Sequence, residues 1–332
     1  MSAQIKAIEY YVPEQVLTNA FLSEKFKRWD AQEIEKKVGI RERHIAQEYE
    51  TALDLAYHAS LKLFRSYDKR NIDFLLLCTQ SPDYRLPTSA CLLQDKLGLH
   101  TTVGAFDYNL GCSGYVYGLA VAHGLISGKM AKSVLLVTSE TYSKHIHPHD
   151  LANLTIFGDG AAATIVEASP EPGFGSFVFG TDGKGGPHLM VKNGAMRNKY
   201  DLNAPELSDR SGNIRTDNHL YMDGPEIFNF TIDMVPKAIE QVLTKNKLAL
   251  SDIDYVIFHQ ANKFIIEYLR KKIGIPEEKF CTDMLVTGNT VSATIPIALK
   301  NAIHRNKVKT GHKVLLCGFG VGYSWGACVM TI

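Results

Sequence analysis

Ile72-Asp-Phe-Leu-Leu-Leu-Cys-Thr-Gln80 is an acid-led apolar run, and its pattern returns later in the chain as Ile253-Asp-Tyr-Val-Ile-Phe-His-Gln260. Short apolar runs bounded by polar residues are typical of strands that are buried on both faces of a sheet. We therefore predict that each run forms a central strand, and that the chain folds as two related halves.

Other segments repeat in the same order in both halves. A turn leads into a second buried strand, a Gly-Ala strand closes each half, and helical patterns rich in Ala, Leu and Ile lie between the strands. This alternation of strands and helices indicates the α/β class, with a sheet covered by helices in each half. The paired segments are 128–137 and 308–317 for the second strand, 158–166 and 324–332 for the closing strand, and 114–127 and 292–305 for the helices.

We place the two halves at residues 1–170 and 171–332. The pairing puts Cys112 and the turn Gly288-Asn-Thr290 at equivalent points, each where a loop enters the central helix of its half. Two helix N-termini should therefore converge. The polar, glycine-containing segment 183–220 lies outside the repeat, and we expect it to be an excursion that covers one face.

Composition excludes several classes of protein. The 332 residues include 36 basic and 35 acidic side chains, so the overall charge does not favour a nucleic acid or a membrane surface as partner. The N-terminus lacks the pattern of a signal peptide, and no apolar run is long enough to span a membrane, which predicts a cytoplasmic protein. The six cysteines show no Cys-x-x-Cys spacing, so we expect neither a disulfide framework nor a zinc site.

Cys112 is the first candidate for chemistry. It lies in Gly111-Cys-Ser-Gly114, between a short apolar strand and a helix rich in small residues. Most free cysteines are simply buried, but the flanking glycines let the chain turn sharply and leave the sulfur uncovered. A thiol at a helix N-terminus faces unpaired N–H groups, which should lower its pKa and make the thiolate available as a nucleophile.

His259 and Asn289 are the second and third candidates. His259 ends a predicted strand, where a histidine is more often a satisfied core residue, and Asn289 could be an ordinary helix cap. The positions of both residues favour a functional role over these structural ones. With Cys112 they lie at strand-to-helix or loop-to-helix junctions, the edge at which open α/β sheets bind their ligands.

With these residues the chain resembles, nearly from end to end, the β-ketoacyl-acyl-carrier-protein synthase III family of the thiolase superfamily. The resemblance implies a five-layer αβαβα fold with two pseudo-symmetric halves, a homodimer, and a catalytic group of Cys112, His259 and Asn289. It also implies that no cofactor is needed beyond the thioester substrates. The matching motifs are Val38-Gly-Ile-Arg-Glu-Arg-His-Ile45, Gly111-Cys-Ser-Gly114, Ile156-Phe-Gly-Asp-Gly-Ala161, His259-Gln-Ala-Asn262, Gly288-Asn-Thr290 and Gly318-Phe-Gly-Val-Gly-Tyr-Ser-Trp-Gly326.

The implied chemistry suits these residue types. The Cys112 thiolate attacks an acyl thioester to give an acyl-enzyme, and malonyl-acyl-carrier protein then loses CO₂ in the same site. N–H donors of His259 and Asn289 stabilise the enolate, whose carbanion attacks the acyl group. A neutral imidazole is expected, so activity should fall where the ring is protonated. Backbone N–H groups of Cys112 and of the loop Gly320, Val321 and Gly322 are expected to hold the tetrahedral oxyanion, with Phe319 as a wall of the pocket.

Other positions depart from the family pattern and bear on the substrates. The tryptophan that stacks on the CoA adenine is replaced by Glu33 and its accompanying arginine by Lys37, although Trp29 lies one helical turn upstream. The main carrier-docking arginine is replaced by Phe264 and a docking lysine by Asn229. Acyl-CoA remains a possible donor. The basic residues that remain for an acidic carrier protein are Lys37, Lys263, Arg270, Lys271 and Lys272.

Leu86 matches a phenylalanine that reaches into the acyl pocket of the partner subunit in this family. A smaller side chain there is expected to leave room for a longer or branched acyl chain. The alternating histidines of His145-Ile-His-Pro-His149 suggest a metal site, but no second ligand cluster accompanies them, and we expect a polar loop.

Two alternatives to condensation stay open. An acyltransferase on the same fold would pass the acyl group from Cys112 to an alcohol, amine or sugar without loss of CO₂, and the replaced tryptophan and arginine favour it somewhat. A non-catalytic partner subunit is the third reading, but such subunits usually lack the cysteine. Fold alone does not separate these functions.

Overall fold

The computed structural model describes residues 2–332, and these residues form an α/β protein with two main sheets. The strands in chain order are β1 (Ser2–Tyr11), β2 (Val16–Thr18), β3 (Glu42–His44), β4 (Phe74–Cys78), β5 (Gly104–Tyr108), β6 (Ser133–Glu140), β7 (Gly160–Ser169), β8 (Phe174–Thr181), β9 (Leu189–Val191), β10 (Leu207–Ser208), β11 (Ile214–Arg215), β12 (Leu220–Met222), β13 (Tyr255–Phe258), β14 (Lys313–Gly320) and β15 (Ser324–Thr331). The α-helices are α1 (Asn19–Phe26), α2 (Ala31–Val38), α3 (Ala52–Leu63), α4 (Ser89–Lys96), α5 (Gly114–Ser127), α6 (Leu151–Leu154), α7 (Gly224–Asn246), α8 (Lys263–Ile273) and α9 (Thr294–His304).

The two main sheets share one topology. The first has the order β1-β7-β6-β4-β5 and the second the order β13-β14-β15-β8. In each, the strand that the sequence analysis singled out pairs in parallel with its neighbour, as β4 does with β6 and β13 with β14. The closing Gly-Ala strands β7 and β15 then pair antiparallel with β6 and β14. The prediction of two pseudo-symmetric halves is confirmed.

The helices complete five layers. Helices α5 and α9 lie between the sheets, where α5 contacts strands of both, while α3 and α4 cover the outer face of the first sheet and α7 and α8 that of the second. One hydrophobic cluster joins α5 and α9 to both sheets, and each outer pair of helices has a cluster of its own with the sheet that it covers. The αβαβα arrangement is therefore confirmed, and it brings the N-terminal ends of α5 and α9 into the middle of the molecule.

The composition of α5 explains its central place. It is apolar on most of its surface, as a helix buried between two layers must be. Its glycines allow close packing, because a Cβ at Gly118 would overlap the Tyr108 hydroxyl and one at Gly114 would overlap the Cys78 sulfur. The helix spans the predicted residues 114–127.

The second central helix differs from its prediction. The segment 292–305 begins with a 3₁₀ turn, Val291–Ala293, and the α-helix starts only at Thr294. Val291 has φ of 54°, a conformation that β-branched residues rarely adopt. The backbone is therefore turned out of α-helical geometry two residues after Asn289.

The predicted excursion 183–220 contains a 3₁₀ segment, Gly183–His188, and the short strands β9 to β11, with β12 at its end. Strand β9 pairs with β12. Leu189 and Leu220 pack in the same hydrophobic cluster as Cys112. Within residues 2–332, no helix has the length and apolar character that a membrane span requires.

Candidate active site

Cys112 lies directly before the N-cap residue of α5, which is Ser113. The Ser113 hydroxyl and the Ser324 hydroxyl form a hydrogen bond of 2.6 Å, which ties the start of this helix to the hairpin of β14 and β15 in the other half. Gly111 is required beside the cysteine, because a Cβ there would lie 2.5 Å from Gln80 Oε1 and 2.8 Å from Val321 Cγ1. The turn is therefore packed on both sides.

The end of β14 forms one wall beside the sulfur. A Cβ at Gly320 would lie 2.7 Å from Cys112 Sγ, so only glycine leaves the thiol its space. Phe319 is buried and its ring meets the His259 ring edge to face, with 5.8 Å between the centroids. Gly322 has φ of 138°, which side chains rarely adopt. The loop 320–322 therefore depends on its glycines.

Cys112, His259 and Asn289 line one cavity of about 320 Å³. They are 7%, 2% and 4% exposed, so all three are nearly shielded from bulk water. Phe319 and Gly320 also line this cavity, and Phe264 lines both it and an outer cavity of about 800 Å³ between α2 and α8. Residues that lie up to 177 positions apart in the sequence thus line one cavity.

His259 is held at the end of β13 by backbone and side chain. Its N–H donates to Cys317 O at 2.8 Å, and its ring Nδ1 lies 2.8 Å from the Thr294 hydroxyl. The Thr294 hydroxyl in turn reaches Val291 O at 3.0 Å. Burial lowers the pKa of His259 to about 3, because the charged imidazolium would lose its hydration. The ring is therefore neutral at physiological pH, as expected.

Asn289 is fixed by the turn that follows it. The Val291 N–H donates to Asn289 Oδ1 at 2.9 Å, so the carbonyl end of the amide is satisfied. The Nδ2 group has a longer contact, 3.3 Å to Ala261 O, at the edge of the cavity. Thr290 has φ of −88° and ψ of 25°, and these angles turn the following N–H, that of Val291, back to Asn289. The amide therefore offers its donor end to the cavity.

The turn before Asn289 rests on a buried arginine. Arg43 is fully buried and donates to Asn19 Oδ1 at 2.8 Å and to Thr155 O at 2.6 Å. Its Cβ would lie 2.8 Å from a Cβ at Gly288, which has φ of 67°. Arg43, which belongs to the motif of residues 38–45, thus packs against the turn that precedes Asn289 and supports it.

The expected low pKa of Cys112 is wrong for the free protein. Burial raises the pKa of the Cys112 thiol to about 12, and the nearby Glu140 carboxyl also favours the protonated form. Hydrogen bonds from the backbone of Val321 and of Cys112 itself act in the opposite direction and are outweighed. Two glycines and the start of a helix do not reveal how deeply a thiol is buried. Here the burial decides the pKa of Cys112.

Comparison with known proteins agrees with this geometry. Family models described as 3-oxoacyl-[acyl-carrier-protein] synthase III and as its C-terminal part match residues 106–183 and 243–332. Beta-ketoacyl-[acyl-carrier-protein] synthase III of Clostridium perfringens is 35% identical over 100% of this chain and 99% of its own. Synthase III 2 of Halalkalibacterium halodurans is 38% identical over 99% and 96%. The chain belongs to the 3-oxoacyl-[acyl-carrier-protein] synthase III family.

Solved structures give the same result. A crystal structure of a 3-oxoacyl-(acyl-carrier-protein) synthase III is 48% identical with a TM-score of 0.99, and each chain covers 100% of the other. The synthase III from Thermus thermophilus is 36% identical with a TM-score of 0.87 and 99% coverage of each chain. The chain is therefore a thiolase-like condensing enzyme of the acyltransferase class.

Three of the positions at which the chain departs from the family pattern, Glu33, Lys37 and Phe264, line the outer cavity. Lys263 and Lys271 line it as well, and Lys37 Nζ lies 3.6 Å from the centroid of the Trp29 ring. Trp29 itself is half-buried against the cluster of α1 and α2. Its face is thus already occupied by a side chain of the same protein.

Arg270 does not join this basic group. Its guanidinium donates to Glu267 at 2.9 Å and to Ile275 O at 3.2 Å, and the side chain is only 12% exposed. The seven-residue spacing from Lys263 places both residues on α8, but it cannot reveal that Glu267 already pairs with Arg270. Lys272 is exposed and donates to Ile232 O, and Asn229 is exposed on α7.

Leu86 lies outside the cavity of its own chain and is 81% exposed. His147 and His149 have ring centroids 5.5 Å apart, and His219 from the excursion lies 4.8 Å from His147. No group of three or more metal-binding side chains was found within residues 2–332.

Three residues near the site were not singled out from the sequence. Thr294 contacts His259, Tyr142 packs in the cluster of Cys112, and Glu140 is a fully buried carboxyl at the end of β6. Glu140 carried the one available signal, because an acid in a strand that is buried throughout is unusual. Thr294 and Tyr142 gave none.

Proposed function

We propose that this protein joins an acyl group to malonyl-acyl-carrier protein by decarboxylative condensation, with Cys112, His259 and Asn289 as the catalytic residues. The observation that carries the proposal is that one cavity is lined by a thiol from the first half and by two neutral polar side chains from the second, all three nearly buried. A thiol alone would suit any acyl transfer. The two donors beside it suit the enolate that loss of CO₂ produces.

In the first step, Cys112 attacks the acyl thioester and must lose its proton. The Thr294 hydroxyl reaches Val291 O, so its oxygen can accept the Nδ1 hydrogen of His259. In that tautomer Nε2 carries the lone pair, takes the thiol proton during the attack and returns it to the sulfur of the departing CoA or carrier, which leaves as a thiol. Because the pKa of the free thiol is about 12, this transfer accompanies the attack and a stored thiolate is not required.

In the second step, the same ring acts as a donor. After the first thiol has left, Nδ1 gives its hydrogen to water and Nε2 takes one up from water, and the Thr294 hydroxyl then turns from Val291 O to donate to Nδ1. Nε2–H and Asn289 Nδ2 then both point hydrogens at the enolate oxygen of the decarboxylated malonyl group. The backbone N–H of Val321, which already bonds to the sulfur, and that of Cys112 are the donors for the tetrahedral oxyanion.

The outer cavity is the proposed path for both thioesters. Its rim carries Lys36, Lys37, Lys263 and Lys271, which suit the phosphate groups of CoA and the acidic surface of a carrier protein. Phe264 stacks on Phe228 with 5.7 Å between ring centroids, which gives an apolar passage for the carrier's arm. Acyl-CoA and acyl-carrier donors both remain open.

A homodimer is the proposed assembly. Strand β5 is the edge of the first sheet, and Phe106 on it is 38% exposed. Together with the exposed Leu86 it leaves an apolar surface of the kind that a second copy covers. Under this proposal Leu86 acts on the partner's acyl pocket, where its size permits a longer or branched chain. We further propose a cytoplasmic enzyme without a resident cofactor.

Mass spectrometry of Cys112 tests the function. The protein is incubated with a panel of acyl-CoAs and acyl carriers, the mass gain at Cys112 is measured, and malonyl-acyl-carrier protein is then added. Release of CO₂ with a β-ketoacyl product is the expected result. If acyl-Cys112 forms but does not react with the malonyl carrier, the result favours plain acyl transfer. If no donor gives a mass gain, the result favours a non-catalytic subunit.

A further inference from the structure

Glu140 lies where the two halves meet, and the chemistry proposed above leaves it without a role. It ends β6 and is fully buried. One carboxyl oxygen, Oε2, accepts the Gln80 N–H at 2.9 Å and the Ser81 hydroxyl at 3.4 Å. The other, Oε1, accepts the Ser292 hydroxyl at 2.8 Å. Its partners thus come from the loop after β4 in the first half and from the 3₁₀ turn in the second.

The contact with Gln80 leads to the nucleophile. The carboxamide of Gln80 is packed against Gly111, where a Cβ would lie 2.5 Å from Gln80 Oε1. The same oxygen accepts the Tyr142 hydroxyl at 3.2 Å. Gln80 therefore supports the backbone residue that precedes Cys112, and Glu140 holds the backbone of Gln80.

The contact with Ser292 leads to the two donors. Ser292 is the middle residue of the turn Val291–Ala293. Val291 binds Asn289 through its N–H and the Thr294 hydroxyl through its carbonyl, and Thr294 binds His259. A shift of this turn would therefore move both groups that are proposed to stabilise the enolate.

No cation neutralises Glu140 among the ion pairs found within residues 2–332. Burial raises its pKa to about 8, against the effect of its three hydrogen bonds, and the nearby carboxylate of Asp159 adds to the rise. The other titratable groups that its charge reaches are Cys78, Tyr108, Cys112 and Tyr142.

We propose that Glu140 is a positioning residue that links the Cys112 loop to the turn behind Asn289 and His259. Its carboxyl group binds the backbone of Gln80, whose side chain packs against the residue before Cys112, so a negative charge at this place opposes a second one on the thiol. The first part rests on the proposed function, because it concerns the distance between the acyl group and the enolate. The second part concerns the thiol alone and needs no substrate. The two parts can therefore be tested separately.

Alkylation of Cys112 by iodoacetamide over pH 6–11 tests the electrostatic part in the full-length protein. The extent is followed by peptide mass, because the exposed Cys91 will also react. In Glu140→Gln the carboxylate is absent, so the rise of the Cys112 rate should move to lower pH by about 0.5 to 1 unit. A profile that superimposes on that of the parent protein would overturn this part.

Separate rates for acylation and condensation test the positioning part. Ser292→Ala removes the link to the second half. Ser81→Ala removes contacts within the first half only, the 3.4 Å contact with Glu140 and the 3.3 Å contact with His145 Nε2, and is the matched control. We expect Ser292→Ala to form acyl-Cys112 at the parental rate but to condense about tenfold more slowly, because the donors are displaced. Ser81→Ala should change either rate by less than about twofold.

Equal slowing of both steps in Ser292→Ala, or parental condensation, would overturn the positioning part. Thermal unfolding of each variant separates these outcomes from loss of the fold. If the parent protein forms no acyl-Cys112 from any donor, the proposed function fails, and the alkylation profiles of the parent and Glu140→Gln still decide the electrostatic part.

Discussion

The two halves of the molecule have one topology but opposite tasks at the equivalent point. In the first half, Cys112 directly precedes the N-cap of α5, so the chain passes from nucleophile to helix without interruption. In the second half, the turn Val291–Ala293 separates Asn289 from α9. That turn supplies the N–H that orients Asn289 and the carbonyl that holds Thr294. The same topology thus holds a nucleophile in the first half and hydrogen-bond donors in the second.

The edges of the two sheets differ as well. The first sheet has β5 as a fifth strand, while the corresponding segment of the second sheet is reduced to one bridge between Val256 and Phe280. Only the first sheet therefore presents a regular strand edge at this position. Under the proposed homodimer, this difference favours the first half as the surface of association, because an unpaired strand edge is the kind of surface that a second copy covers.

The largest effects should come from removing the two specialised groups. Cys112→Ala should abolish acyl-enzyme formation, with turnover reduced by at least about 10³-fold. Asn289→Ala should still acylate Cys112 but condense about 10²-fold more slowly, because one enolate donor is lost. Mass gain at Cys112 and CO₂ release measure the two steps. If Asn289→Ala failed to acylate, the division of tasks between the halves would be refuted.

Gly320→Ala should lower the rate of Cys112 acylation by about 30-fold or more, because the new Cβ would lie 2.7 Å from Cys112 Sγ. This substitution tests whether the second half controls access to the thiol of the first. Gly124→Ala in α5 is the matched control, since a Cβ there meets nothing within 4 Å. That variant should gain about 0.5 to 1 kcal/mol in stability and keep its activity.

Thr294→Val should lower the rate of condensation about tenfold, since His259 Nδ1 would lose its hydroxyl partner. Thr294→Ser keeps the hydroxyl and should recover most of the rate. The comparison of kcat for the two variants separates the hydrogen bond from the packing of the side chain. Equal losses in both would point to packing alone.

The halves should also respond oppositely to pH in their stability. His259 has a folded pKa of about 3, below its ordinary value near 6.5, so the unfolded chain binds more protons and stability falls as the pH drops below about 6.5. Cys112 has a raised pKa of about 12, so stability is lost as the pH rises above about 9. Denaturation curves of His259→Gln and Cys112→Ala should show flatter acid and alkaline limbs respectively.

Much of the frame was predictable, because apolar runs and Gly-Ala strands repeat in both halves. The strands β4, β6, β7, β13, β14 and β15 and the bounds of α5 follow from that pattern. What the sequence could not reveal depends on contacts between distant segments. Glu140 and Ser292 are 152 positions apart, and the pairing of Arg270 with Glu267 needs the side-chain geometry of α8. The pKa of Cys112 likewise depends on burial of the thiol by residues of the second half.

The smallest expected effect concerns the strand edge. Phe106→Lys should weaken association of the first half with a second copy, and light scattering after gel filtration should show a shift from dimer to monomer. A charge placed on an edge strand disfavours pairing across it. Lys271→Glu, on the rim of the second half, should leave the oligomeric state unchanged. A parent protein that is monomeric would refute the assignment of association to β5.

The small size of the inner cavity has a kinetic consequence. At about 320 Å³ it is near the lower limit for small-molecule sites, too small for two carrier arms at once. The first carrier must therefore depart before the malonyl thioester can enter. Initial-velocity plots at several fixed concentrations of the malonyl carrier should accordingly give parallel lines. An excess of that carrier should compete with the acyl donor for the free enzyme and slow its own reaction.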